Sequence, residues 1–114
     1  MIAREFVLKG KKNFEKVQKE GRIFQSNSFG LSILERGDAD PSRFAFIVSG
    51  KISKEAVQRN RIKRALSEAV RFEMTRLKGG FDVIFLAKQV STIKATGELM
   101  HEVVVTLTEA GLAK

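Results

Sequence analysis

Three segments between Arg43 and Ala87 decide the fold: RFAFIVS at 43–49, KEAVQRNRIKRALSEAVR at 54–71 and FDVIFLA at 81–87. The middle segment has a helical period. At 3.6 residues per turn, Ile62, Ala65, Leu66, Ala69 and Val70 collect on one face. The pattern spans 55–77, and Gly79 and Gly80 stop it. Residues 81–87 are a compact apolar run, which predicts a central strand buried on both faces. A strand, a long helix and a second strand imply a crossover connection, so 43–49 and 81–87 are expected to run parallel.

Upstream, residues 23–35 alternate Phe29, Leu31 and Ile33 against Ser28, Gly30 and Ser32, the pattern of a half-buried strand. Gly37, Asp38, Asp40 and Pro41 form a strong turn cluster. A hairpin between 23–35 and 43–49 follows as the expectation. Residues 12–20 place Phe14 and Val17 at helical spacing, with Asn13 as a cap and Gly21 as the stop. Downstream, residues 94–110 send two signals. Val103, Val104, Val105 and Thr106 favour strand by propensity, whereas Leu99, Val103, Leu107 and Ala110 share a helical face. Periodicity selects helix. The expected order is αββαβα, a two-layer α+β sandwich with a mixed sheet, as one domain over residues 1–114.

Composition narrows the function. The chain has 114 residues, of which 43% are hydrophobic, enough for a core. Lys and Arg total 21 against 13 Asp and Glu, a net charge of +8. A folded domain with this excess attracts polyanions, nucleic acid foremost. The charge clusters mid-chain, so it is not a basic tail. No segment combines strong basicity with the broad apolar face of a helix that lies on a membrane, and no apolar run approaches spanning length. With no Cys, disulfides, thiolate metal sites and Cys nucleophiles are excluded. The N-terminal MIAREFVLKGKKNF does not read as a secretory signal, which makes the cytoplasm the expected compartment.

The helix at 54–71 also carries the functional signal. Opposite its apolar face lie Asn60, Arg64, Ser67 and Arg71, with Lys63 beside them; Arg61 falls near one edge and Arg59 near the buried border. Arg offers a planar fork that matches phosphate oxygens. Asn both donates and accepts, so it can reach a base edge or a ribose hydroxyl. Only Glu55 and Glu68 interrupt the positive charge between Lys51 and Arg71.

The string Ala56-Val57-Gln58-Arg59-Asn60-Arg61-Ile62-Lys63-Arg64, followed by Leu66, Glu68, Ala69 and Arg71, closely resembles the signature of the bacterial ribonuclease P protein family. The match extends upstream through Phe14-Glu15-Lys16-Val17, Gly21, the strand 29–34 and Val48-Ser49 followed by Lys51. Downstream it continues through 81–87 and the closing helical segment. The resemblance implies a ribosomal protein S5 domain 2-like sandwich with a left-handed βαβ crossover. It implies a protein that assists a catalytic RNA in removing the 5′ leader of precursor tRNA. The RNA is then the catalyst, using bound Mg²⁺, and the protein is expected to be monomeric in isolation.

Carried over residue by residue, Arg59, Asn60, Arg61, Lys63 and Arg64 match the family's RNA-contacting motif, with Arg71 extending the row. Lys51 and Lys54 match its basic approach loop. Phe14 matches an aromatic position of the leader cleft; it either stacks on a base or packs the first helix onto the core. Other cleft positions depart from the family. A second aromatic falls on Gln18, a tyrosine falls on Ser32, an often basic position is Ser67, and Gly50 replaces the first Lys of a pair.

The remaining chemistry is sparse. His101 beside Glu102 could in principle form an acid–base pair, although an exposed helical histidine is the simpler reading. Asp38 and Asp40 read as turn residues. Little nuclease activity is expected of the chain alone, and no metal site in the protein by itself. Two other classes fit the charge: a structural RNA-binding protein, and a DNA-binding regulator. The regulator would need a short helix and turn before its recognition helix, which the sequence lacks.

Overall fold

A computed structural model describes residues 2–114. Three helices, α1 (Lys11–Glu20), α2 (Ala56–Glu73) and α3 (Thr96–Glu109), combine with four strands: β1 (Arg22–Gln25), β2 (Phe29–Glu35), β3 (Arg43–Ile47) and β4 (Phe81–Ala87). Short 3-10 turns cover Arg4–Phe6, Met74–Arg76 and Gln89–Ile93. The class is α+β with a mixed sheet, as expected. β3 runs parallel to β4 through the α2 crossover, with Phe44 opposite Val83 and Phe46 opposite Phe85.

Two expectations about the sheet change. The single strand at 23–35 is two strands, paired antiparallel across the turn at Ser26 to Ser28. The hairpin expected between 23–35 and 43–49 does not form. The sheet order is β1-β2-β4-β3, and β4 lies between β2 and β3. The physical reason is burial. Asp82 through Phe85 are buried on both faces, and such a strand belongs in the middle of a sheet, not at the edge a β2–β3 hairpin would leave it. β2 pairs with it antiparallel along its whole length, from Phe29 opposite Ala87 to Glu35 opposite Phe81.

The sheet divides the core. Phe29, Leu31, Ile33, Phe44, Val83 and Phe85 point to α2 and α3, where they meet Ile62, Leu66, Val70, Leu99, Val103 and Leu107. All five α2 residues assigned to the apolar face are buried. Each such large aliphatic contributes roughly 1.5–3 kcal/mol by leaving water. On the other face Val17 of α1 packs with Leu8, Ala45 and Ile84, flanked by Phe14, Leu34 and Ile47. Gly21 ends α1 so tightly that a Cβ there would lie 2.5 Å from the Val17 carbonyl oxygen and 2.9 Å from that of Ile33. Asn13 is not the cap: Gly10 precedes the helix with φ 92°, and Asn13 Nδ2 donates to the Lys9 carbonyl.

One buried charge cluster fixes the loop before β3. Asp82 on β4 is 3% exposed. Its Oδ1 accepts from Arg36 at 2.6 Å and from Arg43 at 2.8 Å, and its Oδ2 from Arg43 at 2.7 Å. Arg36 also donates to the carbonyls of Asp40 and Pro41. The pairing with two guanidinium groups is what makes a carboxylate tolerable inside the sheet.

Candidate nucleic-acid interface

The outer edge of β3 positions the site. Strand alternation sends Phe44 and Phe46 toward α2 and Ala45 and Ile47 toward α1. The N-terminal segment caps part of this edge, where Leu8 N–H donates to the Phe44 carbonyl at 2.9 Å. A groove of about 450 Å³ wraps what is left. Its apolar floor comes from β3, Val7 and Leu8. Phe14 of α1 forms one wall, and Asn60, Lys63, Arg64 and Ser67 of α2 form the other. Those four fall at i, i+3, i+4 and i+7, a single helical stripe. The sequence places Phe14 almost fifty residues from that stripe, and the fold brings them to one groove.

The basic residues divide into two sets. Asn60, Lys63 and Arg64 are exposed, and their side chains have no hydrogen-bond partner among the described residues. Lys51 and Lys54 are exposed on the loop before α2. These can meet phosphate without first giving up an internal bond. Arg59 and Arg61 are half-buried and committed. Arg59 Nη1 donates to the Ser53 carbonyl at 2.9 Å. Arg61 donates to Gln58 Oε1 at 2.9 Å and to the Lys94 carbonyl at 3.1 Å, and reaches Thr96 Oγ1 at 3.3 Å. It ties α2 to the segment leading into α3. Arg71 is paired with Glu68 at 2.7 Å and lies 4.5 Å from the centre of the Phe72 ring. The Glu68 carboxyl is lowered to about 2, with the hydrogen bonds from Arg71 the largest cause, so this pair is ionised at neutral pH.

The three remaining cleft positions separate. Ser67 lines the groove, although it is 7% exposed and its Oγ donates to the Arg64 carbonyl. Gln18 stands exposed on α1 outside the groove lining. Ser32 is buried in β2, one strand further in than β4, and does not line the groove either. The apolar floor at Ala45, Phe46 and Ile47 escapes sequence reasoning. Its signal is the alternation within RFAFIVS, which marks two faces but not an open edge. Glu102 does not work with His101, which is exposed. Instead it accepts hydrogen bonds from Ser26 Oγ, Ser28 N–H and Ser28 Oγ across the β1–β2 turn.

The family model for ribonuclease P matches residues 2–111. The ribonuclease P protein component of Gluconacetobacter diazotrophicus is 34% identical over 113 residues, covering 98% of this chain and 97% of its own. That of Synechocystis sp. is 34% identical over 79 residues, covering 69% of this chain and 64% of its own. The Staphylococcus aureus RNase P protein superimposes with a TM-score of 0.87 over 96% of this chain and 98% of its own; at 24% identity it speaks for the fold. The family-model match over residues 2–111, relatives a third identical and a shared sandwich converge, and the chain belongs to the ribonuclease P protein family.

Proposed function

We propose that this chain is the protein subunit of ribonuclease P, which binds the catalytic RNA and the 5′ leader of precursor tRNA and so assists removal of the leader. The observation that carries the reading is the groove with Phe14 on one wall and Asn60, Lys63 and Arg64 on the other. A single-stranded leader needs what this groove offers: an apolar floor, one aromatic able to stack on any base, and cations for the backbone. Lys51 and Lys54, with the α2 stripe, extend a positive surface toward the folded RNA. Arg59 and Arg61 serve it by holding that surface in shape, and Arg71 continues the row one turn further.

In this reading the protein binds and orients, and the bond is cut by the RNA. Mg²⁺ belongs to the RNA partner. Among the described residues no three His, Asp or Glu side chains gather where they could hold a metal ion. Among the described residues no helix is long and apolar enough to cross a membrane. The setting proposed is the cytoplasm, with the chain monomeric until it meets RNA.

The test is reconstitution. Added to a bacterial ribonuclease P RNA at low Mg²⁺, the chain should accelerate cleavage of leader-bearing substrate, and should raise affinity for that substrate over a leaderless one. A structural RNA-binding protein would bind RNA without accelerating cleavage.

A further inference from the structure

The loop 50–54, the first turn of α2 and the 3-10 turn Gln89–Ile93 enclose an open recess of about 630 Å³. It shares no lining residue with the groove at Phe14. Lys51, Lys54, Val57, Gln58, Gln89 and Thr92 line it, and Glu55 is the one acidic side chain among its lining residues. Its size falls within the roughly 300–1,000 Å³ of small-ligand sites.

The wall of this recess is fixed by polar bonds. Gln58 is used at both ends of its amide: Nε2 donates to the Thr92 carbonyl at 2.8 Å, and Oε1 accepts from Arg61. Ser91 Oγ and Thr92 Oγ1 donate to the carbonyls of Lys88 and Gln89, which tightens the turn. Next in the chain to Gln58 and to Thr92 stands an exposed aliphatic side chain, Val57 at 81% and Ile93 at 82%, and Val57 lines the recess. Gln89 is exposed, and its side-chain amide has no partner among the described residues. A rigid scaffold that presents apolar surface, a free amide and two lysines has the elements of a contact site.

We infer that this recess receives an unpaired nucleotide of a folded RNA. Lys51 and Lys54 meet the phosphate oxygens. Val57 packs against a face of the base, and the Gln89 amide, both donor and acceptor, reads its edge. A polyanion fits better than a second copy of the chain, because two proteins of charge +8 repel. The inference rests on the proposed partnership with the catalytic RNA and adds to it a binding position apart from the leader groove.

The test uses the full chain carrying Val57→Ser and Gln89→Ala together, reconstituted with a bacterial ribonuclease P RNA. Both sites are exposed, so the melting temperature should match that of the parent. Affinity for the RNA should fall about tenfold, as removal of one polar and one apolar interaction implies. The slope of log K against log salt should not change, since every phosphate keeps its cation. Chemical footprinting should show a nucleotide protected by the parent and released by the variant. Gln89→Glu, which keeps the shape and places a carboxylate against RNA, should weaken binding more than Gln89→Ala.

Unchanged affinity and footprint, while Arg64→Ala weakens binding, would overturn the recess and leave the partnership standing. Failure of the parent chain to bind the RNA at all would overturn both. A variant that alters self-association without RNA, and leaves RNA affinity intact, would overturn the inference in favour of protein docking.

Discussion

Glu102 shows how one remote residue can gather the side-chain donors of a turn. The β1–β2 connection is three residues long, and its Ser26 and Ser28 hydroxyls and the Ser28 N–H all donate to this carboxylate from 74 and 76 residues away. Burial pushes the Glu102 carboxyl up, but the hydrogen bonds from Ser26 and Ser28 outweigh it, and the net shift is downward from 4.5. A folded-state value below the unfolded one means that the carboxylate stabilises the fold above the unfolded pKa. That stabilisation is lost as pH falls through the lowered folded value. Glu102→Gln should therefore cost about 1–3 kcal/mol at pH 7, the range for a charged hydrogen-bond acceptor. The gap between variant and parent should shrink as the pH drops below the parent's folded-state value. Urea midpoints at pH 7 and pH 3 measure it, and a gap independent of pH would refute the role. No local pattern announces this residue. Its partners are remote, and in the sequence it stands beside His101, which suggests a different chemistry.

At the scale of elements, α2 is a helix with two jobs on two faces, and the faces predict different mutant behaviour. The Arg64 guanidinium is exposed and has no partner among the described residues, whereas Arg61 pins the helix to Gln58, Lys94 and Thr96. Arg64→Ala should leave the melting temperature unchanged. It should lower the slope of log K for RNA against log salt by about 0.7–0.9 for each phosphate that Arg64 neutralises. Arg61→Ala should lower the melting temperature, because Gln58 Oε1, the Lys94 carbonyl and Thr96 Oγ1 each lose a donor. Equal stability in the two variants would mean that the Arg61 bonds do not matter. The two-faced character of α2 is legible in the sequence because a helix writes its burial into a 3.6-residue period, and Ile62, Leu66 and Val70 keep it. Which arginines point inward is not legible, since the carbonyls that receive Arg61 come from a segment more than thirty residues on. Strand pairing is legible only in part. The apolar run at 81–87 correctly implies a central strand, yet chain adjacency suggests a β2–β3 hairpin that is incompatible with it. Of the two signals burial is the stronger, because it sums over the whole strand, whereas adjacency fixes only the ends of a loop.

The molecule as a whole is a device for bringing α1 and α2 to the same open edge of β3. Neither helix alone has a binding groove; Phe14 and the Asn60–Ser67 stripe become neighbours only because the sheet separates the helices and β3 ends it. If one stretch of leader lies in that groove, its base and backbone are held by residues from both walls, and changes in the two walls should not act independently. Phe14 is also half-buried against the Val17 cluster, so Phe14→Ala confounds packing with binding. Phe14→Leu separates them, because it keeps apolar volume on α1 and removes the aromatic face. A stacking role predicts that Phe14→Leu folds with nearly the parent's stability and loses roughly 1–3 kcal/mol of affinity for leader-bearing precursor. Affinity for mature tRNA should be untouched. A packing role predicts equal losses of affinity for both substrates. Combined with Arg64→Ala, the losses should depart from additivity by at least about 0.5 kcal/mol, the mark of two residues gripping one ligand. Strict additivity would place Phe14 and Arg64 on separate RNA segments, and the groove would then be two sites that share a floor.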